Sequence, residues 1–218
     1  MRYLYVVDFD DTLFRTRVFW RRFLFPELKR IGIPYDISEK VYIASTYKMF
    51  GYFIQSLFLS VLHEACKEEN IKVSISQINK VFKKTVYSKR ARRYFYPRAI
   101  EFLHRLKENN NPRILLSSGD KKFKSRFFKA LGLNVFFPRG SIHITKKPKI
   151  EFIKNLRAKG PVILVNDVLK ETEDMVSELQ KVSPKTRAFF VDYGGHFKRK
   201  DVKKPIELIH SLSEIKVL

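Results

Sequence analysis

Tyr3-Leu4-Tyr5-Val6-Val7-Asp8-Phe9-Asp10-Asp11-Thr12 is the stretch on which the fold turns. Residues 3–7 form a short, unbroken apolar run. That is the pattern of a central parallel strand, which is buried on both faces and so has no solvent side to make its sequence alternate. Carboxylates follow immediately at Asp8, Asp10 and Asp11, where the carboxyl end of such a strand would lie. Open α/β sheets bind their ligands at that end. Residues two apart in extended chain point the same way, so Asp8 and Asp10 can converge on one ligand while Phe9 packs elsewhere. Taken alone, the segment also reads as an acidic turn after a strand.

Further strands are expected at Arg113–Leu116, Ser141–Thr145, Val162–Val165 and Arg187–Val191, separated by helical patterns. This alternation implies βαβ crossovers and a parallel sheet. Between residue 13 and about residue 95 the pattern is helical only, four or five helices in all, which marks an insert. Within it, Ser38 and the capping box Ser74-Ile75-Ser76-Gln77 signal helix starts, Gly32 and Pro34 close the first hairpin, and Gly51 bends or breaks the middle segment. The apolar stretch Met49–Leu62 falls short of the roughly 20 residues of a spanning helix and reads as a buried helix of the insert. After it, a helix begins near Pro97 and ends at Asn109-Asn110-Asn111-Pro112.

With 20 Phe and 44% hydrophobic residues, the 218-residue chain has ample apolar area for a folded core. Cys66 is the only cysteine, which excludes an internal disulfide and a thiolate zinc cluster and suits a reducing cytoplasm. The early carboxylates interrupt any secretory pattern, and no association with a membrane is expected. The net charge of +22 attracts polyanions whatever the fold. Residues 14–95 hold 17 basic and 6 acidic side chains, so the charge reads as spread along the chain.

Three more strand ends carry candidate chemistry. Ser117 follows Ile114-Leu115-Leu116, where its hydroxyl could hold a phosphoryl oxygen beside the N-terminus of the helix over 121–130, or simply cap that helix. Lys147-Pro148 follows the strand ending at Thr145, and a lysine there could offset a carboxylate and a phosphate forced together. Lys147 is favoured, with Lys146 and Lys149 as competitors. Asn166-Asp167 ends the fourth strand and Glu171 lies four residues on, so both carboxylates share a side if a helix starts there. Oxygen ligands of this kind suit Mg²⁺.

Asp-x-Asp-x-Thr at 8–12, the strand ending in Ser117, Lys147-Pro148, and the strand followed by Asp167 and Glu171 resemble, in order, the four motifs of the haloacid dehalogenase superfamily. The first motif is specific and the third least so. The likeness covers the whole chain, with the insert in the place of the first-type cap. It implies an α/β fold: a Rossmann-like parallel-sheet core at 1–13 and 96–218 with an all-helical cap at 14–95. It further implies that Asp8 is a nucleophile and Asp10 a general acid and then base. Asp8, the Asp10 main-chain carbonyl and Asp167 would bind Mg²⁺, and Ser117 and Lys147 would hold the phosphoryl group, with Thr12 and Glu171 in support. Asp11 stands where many members carry Gly and others Asp, and Asn166 where Gly more often precedes the metal Asp.

Dehalogenases of the superfamily lack the second aspartate and ion-pumping ATPases usually have Lys there, so Asp10 implies phosphomonoester hydrolysis through an aspartyl-phosphate. A small phosphorylated metabolite is the expected substrate. Arg15, Arg17, Arg21, Arg22 and Lys89-Arg90-Ala91-Arg92-Arg93 could favour substrates with extra negative charge, or form solvated helix faces. The high charge leaves two other readings: a basic nucleic-acid-binding protein on the same scaffold, and a polynucleotide-end phosphatase.

Overall fold

β1 (Leu4–Val7) has a hydrogen-bonded neighbour on each side and presents no edge. The structure, a computed structural model, describes residues 2–48, 52–158 and 160–217. Its sheet runs β3 (Ile142–Thr145), β2 (Arg113–Ser118), β1, β4 (Val162–Asn166), β5 (Arg187–Val191) and β6 (Ile206–Ile209), with every pair parallel. Successive residues of β1 serve opposite faces. Val6 joins Leu116, Leu164 and Phe190 in a core sealed by Ile153 of α8 (Lys149–Lys154) and by Met175, Val176 and Leu179 of α9 (Leu169–Val182). Tyr5 instead meets Phe102 of α6 (Ala99–Glu108) edge to face, with ring centroids 6.4 Å apart. Two covered faces explain the unbroken apolar run: each fully buried Val or Leu contributes about 1.5–3 kcal/mol, and a charge at 5–7 would have no water to face.

Chain order reverses at β1: β2 and β3 lie to one side of it, β4, β5 and β6 to the other. The crevice at such a switch point, outside the carboxyl ends of the strands, is where ligands bind in open α/β sheets. The carboxyl ends of β1, β2 and β4 lie side by side there.

Two compact units divide the chain: Met1–Arg15, Phe95–Ser118 and Asn134–Leu218 form the sheet unit, and Thr16–Tyr94 with Gly119–Leu133 the helical one. The helical unit begins with a continuous run of α1 (Thr16–Phe19), a π-helical turn (Trp20–Leu24) and α2 (Phe25–Lys29). It continues through α3 (Tyr35–Ile43), another π turn (Ala44–Lys48), α4 (Gln55–Glu68), α5 (Ile75–Val86) and a 3₁₀ helix (Lys89–Tyr94). α7 (Lys121–Leu131) belongs to this unit although it follows β2 directly. Its Phe123 lies 4.9 Å from Phe53 and 6.3 Å from Trp20, inside an aromatic core to which Phe58 and Phe82 also contribute.

Several local expectations shift. The capping box at Ser74 and Gln77 forms as its sequence implies. Ser38 does not start a helix: α3 begins after Pro34, and Ser38 is buried within it, its hydroxyl donating to Pro34 O at 3.2 Å. The helix expected at Pro97 begins at Ala99, because Arg98 adopts φ +68°. β6 was not anticipated. It is a four-residue edge strand holding Glu207 and preceded by Pro205, too short to show a period. The bend at Gly51 and the first residues of the Met49–Leu62 stretch lie outside the described residues, and α4 starts at Gln55. Among the described residues no helix is long and apolar enough to cross a membrane.

Candidate active site

Asp8 continues the sheet one residue past β1: its N–H donates to Val165 O at 2.9 Å, which seats the buried carboxyl at the switch point. Its two oxygens have different partners. Oδ2 accepts from the Thr12 hydroxyl at 3.0 Å, and Oδ1 lies 2.7 Å from Lys149 Nζ. Lys149 approaches off the hydrogen-bonding direction, so Asp8 Oδ1 sits buried in an ion pair with no well-aligned donor.

Lys149 is 6% exposed, whereas Lys146 and Lys147 point to solvent. Of the three candidate lysines it is thus Lys149, and not the favoured Lys147, that stands beside Asp8. β3 ends at Thr145, whose hydroxyl accepts from Lys147 N at 3.0 Å and ties off the turn. Pro148, with φ −50°, then opens α8, and Lys149 is the first residue turned back toward the sheet. Its ammonium lies 2.8 Å from Glu171 Oε2 as well as beside Asp8. Asn166 Nδ2 donates to that same Glu171 oxygen at 3.1 Å and to Thr172 Oγ1 at 3.2 Å. The residue standing in place of the more frequent Gly thus fixes the carboxylate that fixes the lysine. Periodicity gave no sign of this link.

Between Phe9 and Phe14 the chain folds back on itself: Leu13 N and Phe14 N both donate to Phe9 O at 3.0 Å. The reversal passes through Asp11 at φ +52°, a left-handed conformation that a short polar side chain tolerates and glycine adopts freely. It returns the side chain of Thr12 to Asp8. Asp10 Oδ2 accepts from Ser117 Oγ at 3.0 Å, which joins the carboxyl ends of β1 and β2.

Thr12 Oγ1 also lies 3.0 Å from Asp167 Oδ1. A hydroxyl has one proton and cannot donate to both carboxylates, so the second contact calls for a proton or a cation. Burial pushes the Asp167 carboxyl up to about 8, reinforced by the charge of Asp8, opposed by Lys149, raised further by Asp11 and eased by the Thr12 hydrogen bond. Burial likewise raises Asp8; Lys149 opposes the rise, and Asp10 and Glu171 add to it. Lys149 is held above its usual range, because Asp8 and Glu171 together outweigh the burial that would depress it.

Tyr193, two residues past β5, donates to Thr12 O at 2.8 Å and stacks on Tyr96 with centroids 3.6 Å apart and planes 6° from parallel. Tyr96 N donates to Leu13 O at 2.9 Å, so the pair grips the loop on which Thr12 sits. Burial raises the Tyr193 phenol well above its normal range, with further pushes from Tyr96 and Asp167. Nothing in the sequence around these tyrosines marks them out.

Asp8 and Asp167, linked through Thr12, offer only oxygen donors. No group of three His, Cys, Asp or Glu side chains that could hold a metal occurs among the described residues. Two crowded carboxylates, one of them raised to about 8, fit a divalent cation that takes one or two carboxylates and keeps several waters, as Mg²⁺ does.

No protein-family model and no curated protein matches the sequence. Solved structures do. A haloacid dehalogenase-like hydrolase from Burkholderia xenovorans LB400 is 15% identical, with 97% of this chain aligned to 93% of that one at a TM-score of 0.69. The HAD-hydrolase YfnB from Bacillus subtilis, described as bound to magnesium, is 12% identical over 98% of this chain and 97% of its own, at 0.61. L-2-haloacid dehalogenase from Xanthobacter autotrophicus is 12% identical over 97% and 96%, at 0.60. With nearly the whole chain aligned to each of these structures, the chain has the fold of the haloacid dehalogenase-like hydrolases.

Proposed function

We propose that the chain hydrolyses a phosphomonoester through an aspartyl-phosphate on Asp8. The observation that carries this reading is the second carboxylate: Asp10 lies two residues from Asp8, hydrogen-bonded to Ser117 at the end of the neighbouring strand. Displacing halide needs a nucleophile and no acid, because halide leaves without a proton. An alkoxide leaving group needs one.

In this reading the Asp8 carboxylate attacks phosphorus, the bond to the ester oxygen breaks, and Asp10 protonates that oxygen. Asp10 then takes a proton from the water that hydrolyses the acyl phosphate, so one group serves both halves. Lys149 favours the ionised form of Asp8 against its burial and with Ser117 steadies the phosphoryl oxygens, while Glu171 and Asn166 hold Lys149 in place. Asp8, the Asp10 carbonyl and Asp167 would hold Mg²⁺. When bound, that ion offsets the charge of carboxylate and phosphate brought together.

The helical unit is proposed as the cap that selects the leaving group, and the single buried Cys66 accords with a cytoplasmic setting. The test is phosphate release from an aryl phosphate with Mg²⁺ and with EDTA, alongside Asp8→Asn. Magnesium-dependent release lost in the variant supports the hydrolase; no release from a broad phosphoester panel sinks it.

A further inference from the structure

The cations are unevenly divided between the two units. The helical unit, Thr16–Tyr94 with Gly119–Leu133, carries 21 Lys and Arg against 7 Asp and Glu, whereas the larger sheet unit carries 23 against 15. Within the helical unit, residues 70–94 hold eight cations and residues 121–133 five, and neither stretch contains an acid.

The fold brings these two stretches together. The 3₁₀ helix at Lys89–Tyr94 packs on α7, Tyr87 and Phe82 both meet the ring of Phe123, and the guanidinium of Arg92 reaches over Gly132 at the end of α7. Their apolar residues point inward. Lys89, Arg90, Arg92, Lys121, Lys122, Arg126 and Lys129 are left in solvent, and none of them pairs with a carboxylate among the described residues. Elsewhere in the unit four of the acids are engaged: Glu27 with Arg30, Glu39 with Arg21, Asp36 with Lys40 and Glu64 with Lys67. The 3₁₀ helix and the solvent face of α7 therefore form one surface of unneutralised positive charge. Asp120 is the acid closest along the chain to α7, and it is spent capping Phe123 N at 2.7 Å.

We infer that this surface, formed by the 3₁₀ helix and α7, is a docking site for the phosphodiester backbone of a nucleic acid. Each phosphate neutralised by a lysine or arginine releases condensed counterions, which rewards a dense, acid-free array. Arginine forks suit phosphate oxygens. An anionic membrane is the weaker match, since surface helices that bind lipid place large apolar side chains beside their cations. Among the described residues no exposed large hydrophobic side chain belongs to the 3₁₀ helix or α7.

The inference stands apart from the hydrolase reading and is tested without turnover. Binding of a fluorescein-labelled single-stranded oligonucleotide is followed by anisotropy across a salt series, with the full chain. One variant combines Lys89→Gln, Arg90→Gln, Lys121→Gln, Lys122→Gln and Lys129→Gln. A second removes the same charge from the sheet unit through Lys198→Gln, Arg199→Gln, Lys200→Gln, Lys203→Gln and Lys204→Gln. Thermal melts confirm that both fold. The expected result is a loss of about tenfold or more in affinity for the first variant only, with the salt slope falling by about 0.7 for each phosphate that is no longer neutralised. Equal losses in the two variants, or no binding by the unaltered chain at physiological salt, would overturn the site. So would equally tight, variant-sensitive binding to phosphatidylserine vesicles.

Discussion

The ammonium of Lys149 lies 2.7 Å from Oδ1 of Asp8, two residues beyond the lysine that the Lys-Pro pattern singles out. Lys149→Met would leave the buried Asp8 and the partly buried Glu171 with no cation between them. A loss of about 10²–10³ in kcat is expected, the scale of removing one preorganised electrostatic group. Lys147→Met alters an exposed side chain and should change activity less than about twofold, within the usual range for surface substitutions. Initial rates of both variants on one aryl phosphate decide the matter, and the opposite ranking would return the role to Lys147.

Asp10 and Asp8 would fail differently. Asp8→Asn removes the proposed nucleophile and should give no turnover and no labelled protein. Asp10→Asn should lower kcat by about 10²–10⁴, the span of a general acid or base. With a good leaving group its first half-reaction survives better than its second, so acid-quenched enzyme should retain phosphate on Asp8. Rapid-quench labelling followed by peptide mapping measures this, and full activity in either variant would remove that residue from the mechanism.

The carboxylates were legible because each follows an apolar run, and the end of a buried parallel strand is a fixed place in space. Lys149 was not, since three lysines within four residues look alike to any periodic pattern. What separates them is where β3 stops and where Pro148 lets α8 begin. The placement of α7 was hidden for a related reason: chain order puts it after β2, yet Phe123 packs against Phe53 and Trp20, far away in sequence. Tyr193 and Tyr96 act through a carbonyl hydrogen bond and a ring stack, which leave no trace in composition. Asp11 stands where Gly or Asp is expected, and its φ of +52° shows why those residues suit the position.

Thr12→Val keeps side-chain volume and deletes the hydroxyl that lies 3.0 Å from both Asp8 Oδ2 and Asp167 Oδ1. The two carboxylates then lose the group that would orient them toward the proposed Mg²⁺. Losing an orienting partner of this kind weakens metal affinity by about 10–100-fold. A Mg²⁺ titration followed by calorimetry, independent of turnover, should show that weakening, and unchanged affinity would mean that Thr12 serves the loop and not the metal. Tyr193→Phe, which removes only the bond to Thr12 O, should fall between this variant and the unaltered chain.

The pH dependence of stability tests the same pair from the other side. The Asp167 carboxyl rises from an unfolded value of 3.8 to about 8 in the folded, metal-free chain. Between these values the folded state holds a proton that the unfolded state has released, so stability falls as pH rises across that window. The favourable contribution is complete below about pH 4 and is lost as the pH passes through about 8. In EDTA, the melting temperature should therefore decline from pH 5 toward pH 8.5, and Asp167→Asn should flatten that decline. Mg²⁺ binding must displace the proton, so its affinity should strengthen as pH rises over the same window and its presence should offset the loss of stability. Melting curves with and without Mg²⁺ at several pH values measure both effects; a metal-free melting temperature that rises toward pH 8.5, or an unaltered slope in Asp167→Asn, would show that Asp167 is ionised without the metal.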